Sequence, residues 1–311
     1  MPKEKSNRRN FLKKTALASA AITFGSRLQA FAGGQKVKLV KVSGEGVVKD
    51  MVGAVAKALQ PLGGMKAFVK KGQSVLIKPN MGFPTPPELH ATTSPDLIAA
   101  VAKQALDCGA SKVLIVDNPI RRPEACIRVV GIKEATKDLD VHVLMPTSEK
   151  MYTMTPIPKG KSLKKTKILK DALKCDVHIA LPIGKSHNAA GFSGTLKGMM
   201  GLILDRESFH SRYDLNQAVA DLNTVLKPDL TILDGIKVMT TDGPAGPGEL
   251  TTCNTIIAGT DPVAVDAAAV ELAPLYGRKI KPRQIKHLKA AQQMGLGKLS
   301  LAEDQIVIVK M

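Results

Sequence analysis

The residues best suited to chemistry crowd into one stretch, 181–212, where Lys185, His187, Lys197, Arg206 and His210 lie among Gly184, Gly191, Gly194, Gly198 and Gly201. Lysine and arginine hold anions. Glycine lets backbone N–H groups come as close to a ligand as side chains do. Histidine is the side chain that gives or takes a proton near neutral pH without a large shift. The pattern therefore predicts a site for a small anionic molecule, with Lys185, Lys197 and Arg206 supplying charge and His187 and His210 acting as acid and base. Lys185 and His187 are two apart on an extended segment and so share a side. The glycine-rich turn that follows can fold Lys197 back over them.

A second group of polar residues sits where apolar runs end. The run 74–78 stops at Lys78-Pro79-Asn80, the run 112–116 delivers Asp117 and Asn118, and the run 228–233 reaches Asp234-Gly235. The loop 240–248 is rich in Gly and Pro, has the composition of a lid or binding loop, and carries Asp242. In a parallel sheet such strand ends converge on one rim, the rim where open α/β folds place ligands. Lys78, Asn80 and Asn118 thereby join the substrate-binding set. Asp117, Asp234 and Asp242 are the candidate carboxylates for binding a divalent metal or shuttling protons. His178 alternates with apolar neighbours and reads as a core residue. Asp261 before Pro262 reads as a helix cap, whereas Asp266 lies beyond the capping positions and is left without a role by local rules.

The elements that must position these residues follow from periodicity. Residues 37–42, 74–78, 112–117 and 141–145 read as strands, and 47–59, 94–108 and 124–130 as the helices between them. A β-α-β-α-β-α-β order argues for an α/β fold with a mostly parallel sheet and helices on both faces; two α/β lobes around a cleft are the alternative arrangement. Strands at 176–181, 228–233, 254–258 and 305–309 and helices at 213–226 and 283–294 complete the chain. The segment 159–174 holds seven lysines and reads as a solvated cationic surface.

With 311 residues and 44 % hydrophobic content, the chain can bury one large or two modest cores. Residues 1–32 hold seven Lys/Arg and one acid, so of the net charge of +18 the rest of the chain keeps +12. Such a field attracts anions. With 3 % aromatics and no Trp, the chain lacks the stacking platforms of nucleic-acid binders, and no nucleic-acid partner is expected. The four cysteines, Cys108, Cys126, Cys175 and Cys253, form no C-x-x-C pair, so spacing encodes no iron-sulfur ligand set and no disulfide is expected. Arg8-Arg9 precedes a mildly apolar stretch and Ala30-Phe31-Ala32, the pattern of a twin-arginine signal peptide over 1–32. That leader predicts passage through the twin-arginine translocation machinery to the periplasm, and a mature α/β domain over 33–311. Beyond residue 32 no apolar run reaches the roughly 18 residues of a membrane span.

Read in order, Ile77-Lys-Pro-Asn80, Lys185-x-His187, Thr195-Leu-Lys-Gly-Met-Met-Gly201, Asp234-Gly235, Gly243-Pro244 and Gly259-x-Asp-Pro-Val-Ala-Val-Asp266 resemble the domain-of-unknown-function 362 family. The resemblance runs from about residue 37 to 294 and implies an α/β fold. Some members carry fused ferredoxin-like modules, which this chain lacks, so no cluster ligand carries over to its cysteines. Three functional classes stay open: an enzyme acting on a small anionic substrate, a non-catalytic protein that binds a ligand or delivers a cofactor or metal, and an iron-sulfur-associated redox partner.

Overall fold

The computed structural model describes residues 37–311, and the leader assigned to 1–32 lies outside them. In chain order the first half runs β1 (Leu39–Ser43), α1 (Met51–Leu59), β2 (Ser74–Pro79), α2 (Pro95–Asp107), β3 (Lys112–Val116), α3 (Pro123–Val130), β4 (His142–Leu144), β5 (Tyr152–Pro156) and β6 (Lys165–Leu169). There follow β7 (Val177–Leu181), β8 (Ile183–His187), β9 (Gly191–Ser193), α4 (Thr195–Gly198), α5 (Leu215–Leu222), β10 (Leu230–Met239), β11 (Leu250–Gly259), α6 (Pro262–Val270), α7 (Lys286–Gln293) and β12 (Ile306–Lys310), with shorter helical turns between.

Alternation along the strands divides their side chains between two cores. Val75 and Ile77 of β2 and Val113 and Ile115 of β3 pack with α1, α2 and α3, while Leu76 and Leu114 join the opposite core with α5, α6 and α7. A strand buried on both faces reads as a continuous apolar run, as these do. The sheet order is β12-β1-β11-β10-β7-β2-β3-β4, with β8 and β9 branching from β10. Along that order β11 is antiparallel to both neighbours and every other pairing is parallel. The fold is α/β with a mostly parallel ten-stranded sheet beside a separate two-stranded one, β5–β6, and the described residues form one compact unit and not two lobes.

Several elements differ from the sequence expectation. The strand ending at Asp234 continues to Met239, so Asp234 lies mid-strand. The lysine-rich segment is not a featureless surface: β5 and β6 form an antiparallel hairpin whose Ile168 and Leu169 are buried while Lys165 stays exposed. The helix of 47–59 breaks at Asp50, whose side chain accepts from Gly53 N at 2.8 Å and starts α1 afresh.

The site depends on where the sheet splits. β7 pairs with β2 as far as Leu181 opposite Pro79. Past Pro182 the chain continues as β8, which stays with β10 and takes β9 as its other neighbour, leaving β2. A gap opens at the carboxyl ends of β2 and β3.

Candidate anion site

A cavity of about 70 Å³ occupies that gap. Lys78, Asn80 and Asp117 come from the ends of β2 and β3, His187 and Ser193 from β8 and β9, and Lys197, Met200, Gly201 and Arg206 from the segment that starts with α4. Phe83, Ile120 and Pro244 complete the wall. About 30 Å³ belongs to each water in the liquid, so the cavity holds one compact group of a few heavy atoms.

Its positioning is built from buried carboxylates. Asp266 of α6 is fully buried and accepts from Thr195 N at 2.6 Å and Leu196 N at 3.0 Å, capping the first turn of α4 and thereby fixing Lys197. That is the role local rules did not give it. Burial raises its pKa to about 6, against the pull of those N–H bonds. A Cβ on Gly194 would sit 2.7 Å from the Phe192 ring and run into the Asp266 carboxylate, so only glycine passes there. A Cβ on Gly201 would likewise lie 2.5 Å from Lys78 Cε and collide with Asp117. This close approach brings the segment after α4 onto the Lys78–Asp117 ion pair.

Charge is unbalanced. Lys78 Nζ lies 3.0 Å from Asp117 Oδ1 and also donates to Pro79 O, while Asp117 Oδ2 accepts from Met81 N at 2.7 Å. Arg206 donates to the carbonyls of Asn118 and Pro119, which carry no formal charge. Lys197, half-buried, has no hydrogen-bond or ion-pair partner among the described residues. Burial and the nearby Arg206 lower its pKa to about 8. Three cations thus share the cavity with one carboxylate, already committed to Lys78.

His187 differs from the titrating group the sequence suggested. Its Nδ1 accepts from Ala189 N at 3.2 Å and Ala190 N at 3.3 Å. Burial, then Lys197, His210, Lys185 and His287, lower its pKa to about 3. A neutral imidazole that accepts at Nδ1 carries its proton on Nε2, a tautomer assigned from these bonds. His187 is therefore a fixed donor across the physiological range.

Of the other residues singled out by sequence, Lys185 is fully buried behind the cavity. It donates to Ala91 O with its ammonium 5.3 Å from the centre of the Phe83 ring, and burial lowers its pKa to about 7. It is not among the residues that line the cavity, and its charge acts on His187. Asn118 is spent on structure, its Nδ2 donating to Ile203 O at 2.8 Å and its N to Gly201 O at 2.8 Å. His210 lies outside the cavity, exposed and stacked on His187 with ring centres 6.3 Å apart.

The proposed metal ligands are not brought together. Asp117 is paired with Lys78. Asp234 is buried mid-strand, accepting from Ser94 N at 2.8 Å and Ile236 N at 3.1 Å, with its pKa raised to about 6 by burial. Asp242 sits with Glu249 on an open hollow of about 670 Å³ over the 240–249 loop. Among the described residues no three His, Cys, Asp or Glu side chains group as a metal site. That hollow's charged groups are acids, so it is no anion site either. The loop itself does reach the cavity: Gly243 N donates to Ser186 Oγ at 3.1 Å and Pro244 forms part of the wall. Sequence reasoning gave no role to Ser193, Phe83, Ile120 and Met200, whereas the Gly/Pro composition of the 240–248 loop pointed to the loop's contact with the cavity.

Comparison with known proteins places these residues in a family. Over 255 residues, 79 % of this chain and 76 % of the relative, the sequence is 26 % identical to the thylakoid-associated protein sll1697 of Synechocystis. Among solved structures, the chain matches the lactate racemase apoprotein from Thermoanaerobacterium thermosaccharolyticum with a TM-score of 0.43 and 15 % identity, over 83 % of this chain and 57 % of that one. The present chain thus spans little more than half of that protein's length. The model of a domain of unknown function, DUF362, matches residues 75–271, a stretch that contains every wall residue of the cavity, and the chain belongs to that family.

Proposed function

We propose that the cavity binds a small anion of charge near −2. The observation that carries this is the unpartnered ammonium of Lys197, set beside Arg206 and the Lys78–Asp117 pair, a net of two positive charges with a neutral His187 as additional donor. A half-buried cation left without a counter-charge bears part of the desolvation cost of burial, and a bound anion supplies the counter-charge. A hydrogen bond to a charged group contributes about 1.5–3 kcal/mol, so Lys197→Met and Arg206→Met should each weaken binding of sulfate or phosphate roughly tenfold or more, most steeply at low salt. Calorimetric titration of the two variants tests this. Parental affinity in both would place any anion site elsewhere.

Turnover of that anion is the second reading, favoured by the pKa of Lys197 at about 8, which leaves part of its amine free to accept a proton near neutral pH. A carrier would bind with no chemical change to the ligand, and mass analysis of recovered ligand separates the two.

The same proposal includes export. The twin arginines support transport through a pathway that reads the guanidinium pair and not charge alone. Replacing Arg8 and Arg9 by Lys should leave precursor in the cytoplasm, and a normal periplasmic yield would remove this part of the reading.

A further inference from the structure

The cavity wall mixes charged with apolar residues, and its one exposed residue is apolar. Ile120 is 52 % exposed and yet lines the cavity, so it stands where the cavity meets solvent. Phe83, Met200 and Pro244 are the other apolar residues of the wall. One exposed isoleucine is ordinary on a protein surface. Phe83 and Met200 are buried, but the exposed Ile120 and the half-exposed Pro244 face outward and offer an inorganic ion no hydrogen bond. They suit a ligand that has an apolar part.

Size argues the same way. Pockets that enclose whole organic ligands measure about 300–1,000 Å³, against about 70 Å³ here. Only a head group fits inside, and the rest of the ligand must leave through the opening past Ile120. A carboxylate head carries one negative charge and would leave one cation of the wall unmatched. A phosphate monoester carries about −1.5 to −2 near pH 7 and matches the net charge of the wall. Resting on the anion-site reading, we infer that the ligand is a phosphate monoester of an apolar alcohol, its phosphate between Lys197 and Arg206 and its hydrocarbon over Ile120. A soluble alkyl phosphate and a membrane phosphatidate share this chemistry.

The test compares inorganic phosphate, butyl phosphate and octyl phosphate by calorimetry on the intact protein, together with sedimentation on phosphatidylcholine vesicles with and without phosphatidate. Each methylene taken out of water should strengthen binding about fourfold, so octyl phosphate should bind at least about tenfold more tightly than inorganic phosphate. Ile120→Asn, at an exposed position the fold tolerates, should weaken octyl phosphate at least about fivefold more than it weakens inorganic phosphate. Sedimentation only with phosphatidate vesicles would support the inference with a lipid source. The chain-length gain without sedimentation would support it with a soluble source. Equal affinities across the series, or an Ile120→Asn effect equal on both ligands, overturns the inference and leaves the anion site standing. Failure of all three phosphates and of the vesicles to bind overturns both.

Discussion

Lys185 shows how far one buried side chain can tune a small domain. Its pKa in the folded chain is about 7, whereas an exposed lysine stays near 10.5. Between these values the folded chain holds fewer protons than the unfolded one, so this residue makes stability rise with pH from about 7 to 10.5; below 7 both states are protonated and the full cost of burying the ammonium remains. Lys185→Met should therefore raise stability at pH 6 by roughly 1–3 kcal/mol and flatten the slope between pH 7 and 10, as read from urea unfolding at several pH values. An unchanged slope would mean that the ammonium is better solvated than its burial implies. Sequence placed Lys185 in the binding set because it alternates with His187, and the structure separates them by depth. A lysine on a strand covered from both sides has the same local sequence as one on a rim. Lys78, Asp117, Lys197 and Arg206 were legible because strand ends and glycine turns mark where chains leave a sheet.

Among elements, α4 is too short to hold itself, since four residues cannot offset the cost of nucleating a helix. Its geometry depends on Asp266 from another element, 70 residues away along the chain from Leu196. Asp266→Ala leaves two N–H groups unmet and should cost about 1–3 kcal/mol. The same change should raise amide exchange at Thr195 and Leu196 and weaken sulfate binding, because Lys197 loses its fixed position. A stability loss with unaltered exchange at those two amides would show that α4 is held by packing alone. Most strands were readable from apolar runs, and α2 from Ser94 followed by proline at its start. The β5–β6 hairpin was not, because its inward positions include Thr155 and Thr166, and in β6 Thr166 stands between two lysines ahead of the short apolar pair Ile168-Leu169. The extension of β10 was hidden as well, by a glycine at Gly235 that reads as a stop and is in fact followed by a register shift.

For the molecule as a whole, the proposed anion site predicts that anions act on the folding equilibrium. Sulfate, whose charge stays constant with pH, should add about 2.7 kcal/mol at a hundred times its dissociation constant, a rise in Tm of roughly 5–10 °C. That gain should fade as pH rises through about 8, where Lys197 loses its proton; a gain that persists at pH 10 would assign the binding to Arg206 or to another site. The fold class was legible from the β-α alternation, but strand order was not, because it rests on pairings far apart in the chain, such as β1 beside β11 and β12. The split in the sheet carries a kinetic meaning. Pro79 and Pro182 have no N–H to offer where the two strands part, and β2 and β8 are not paired with each other. The opening belongs to the folded backbone and is present before any ligand arrives. Binding then needs no prior rearrangement: the association rate should rise linearly with concentration without reaching a plateau, drop sharply as ionic strength screens the cationic field, and leave discrimination between ligands to how slowly each one departs.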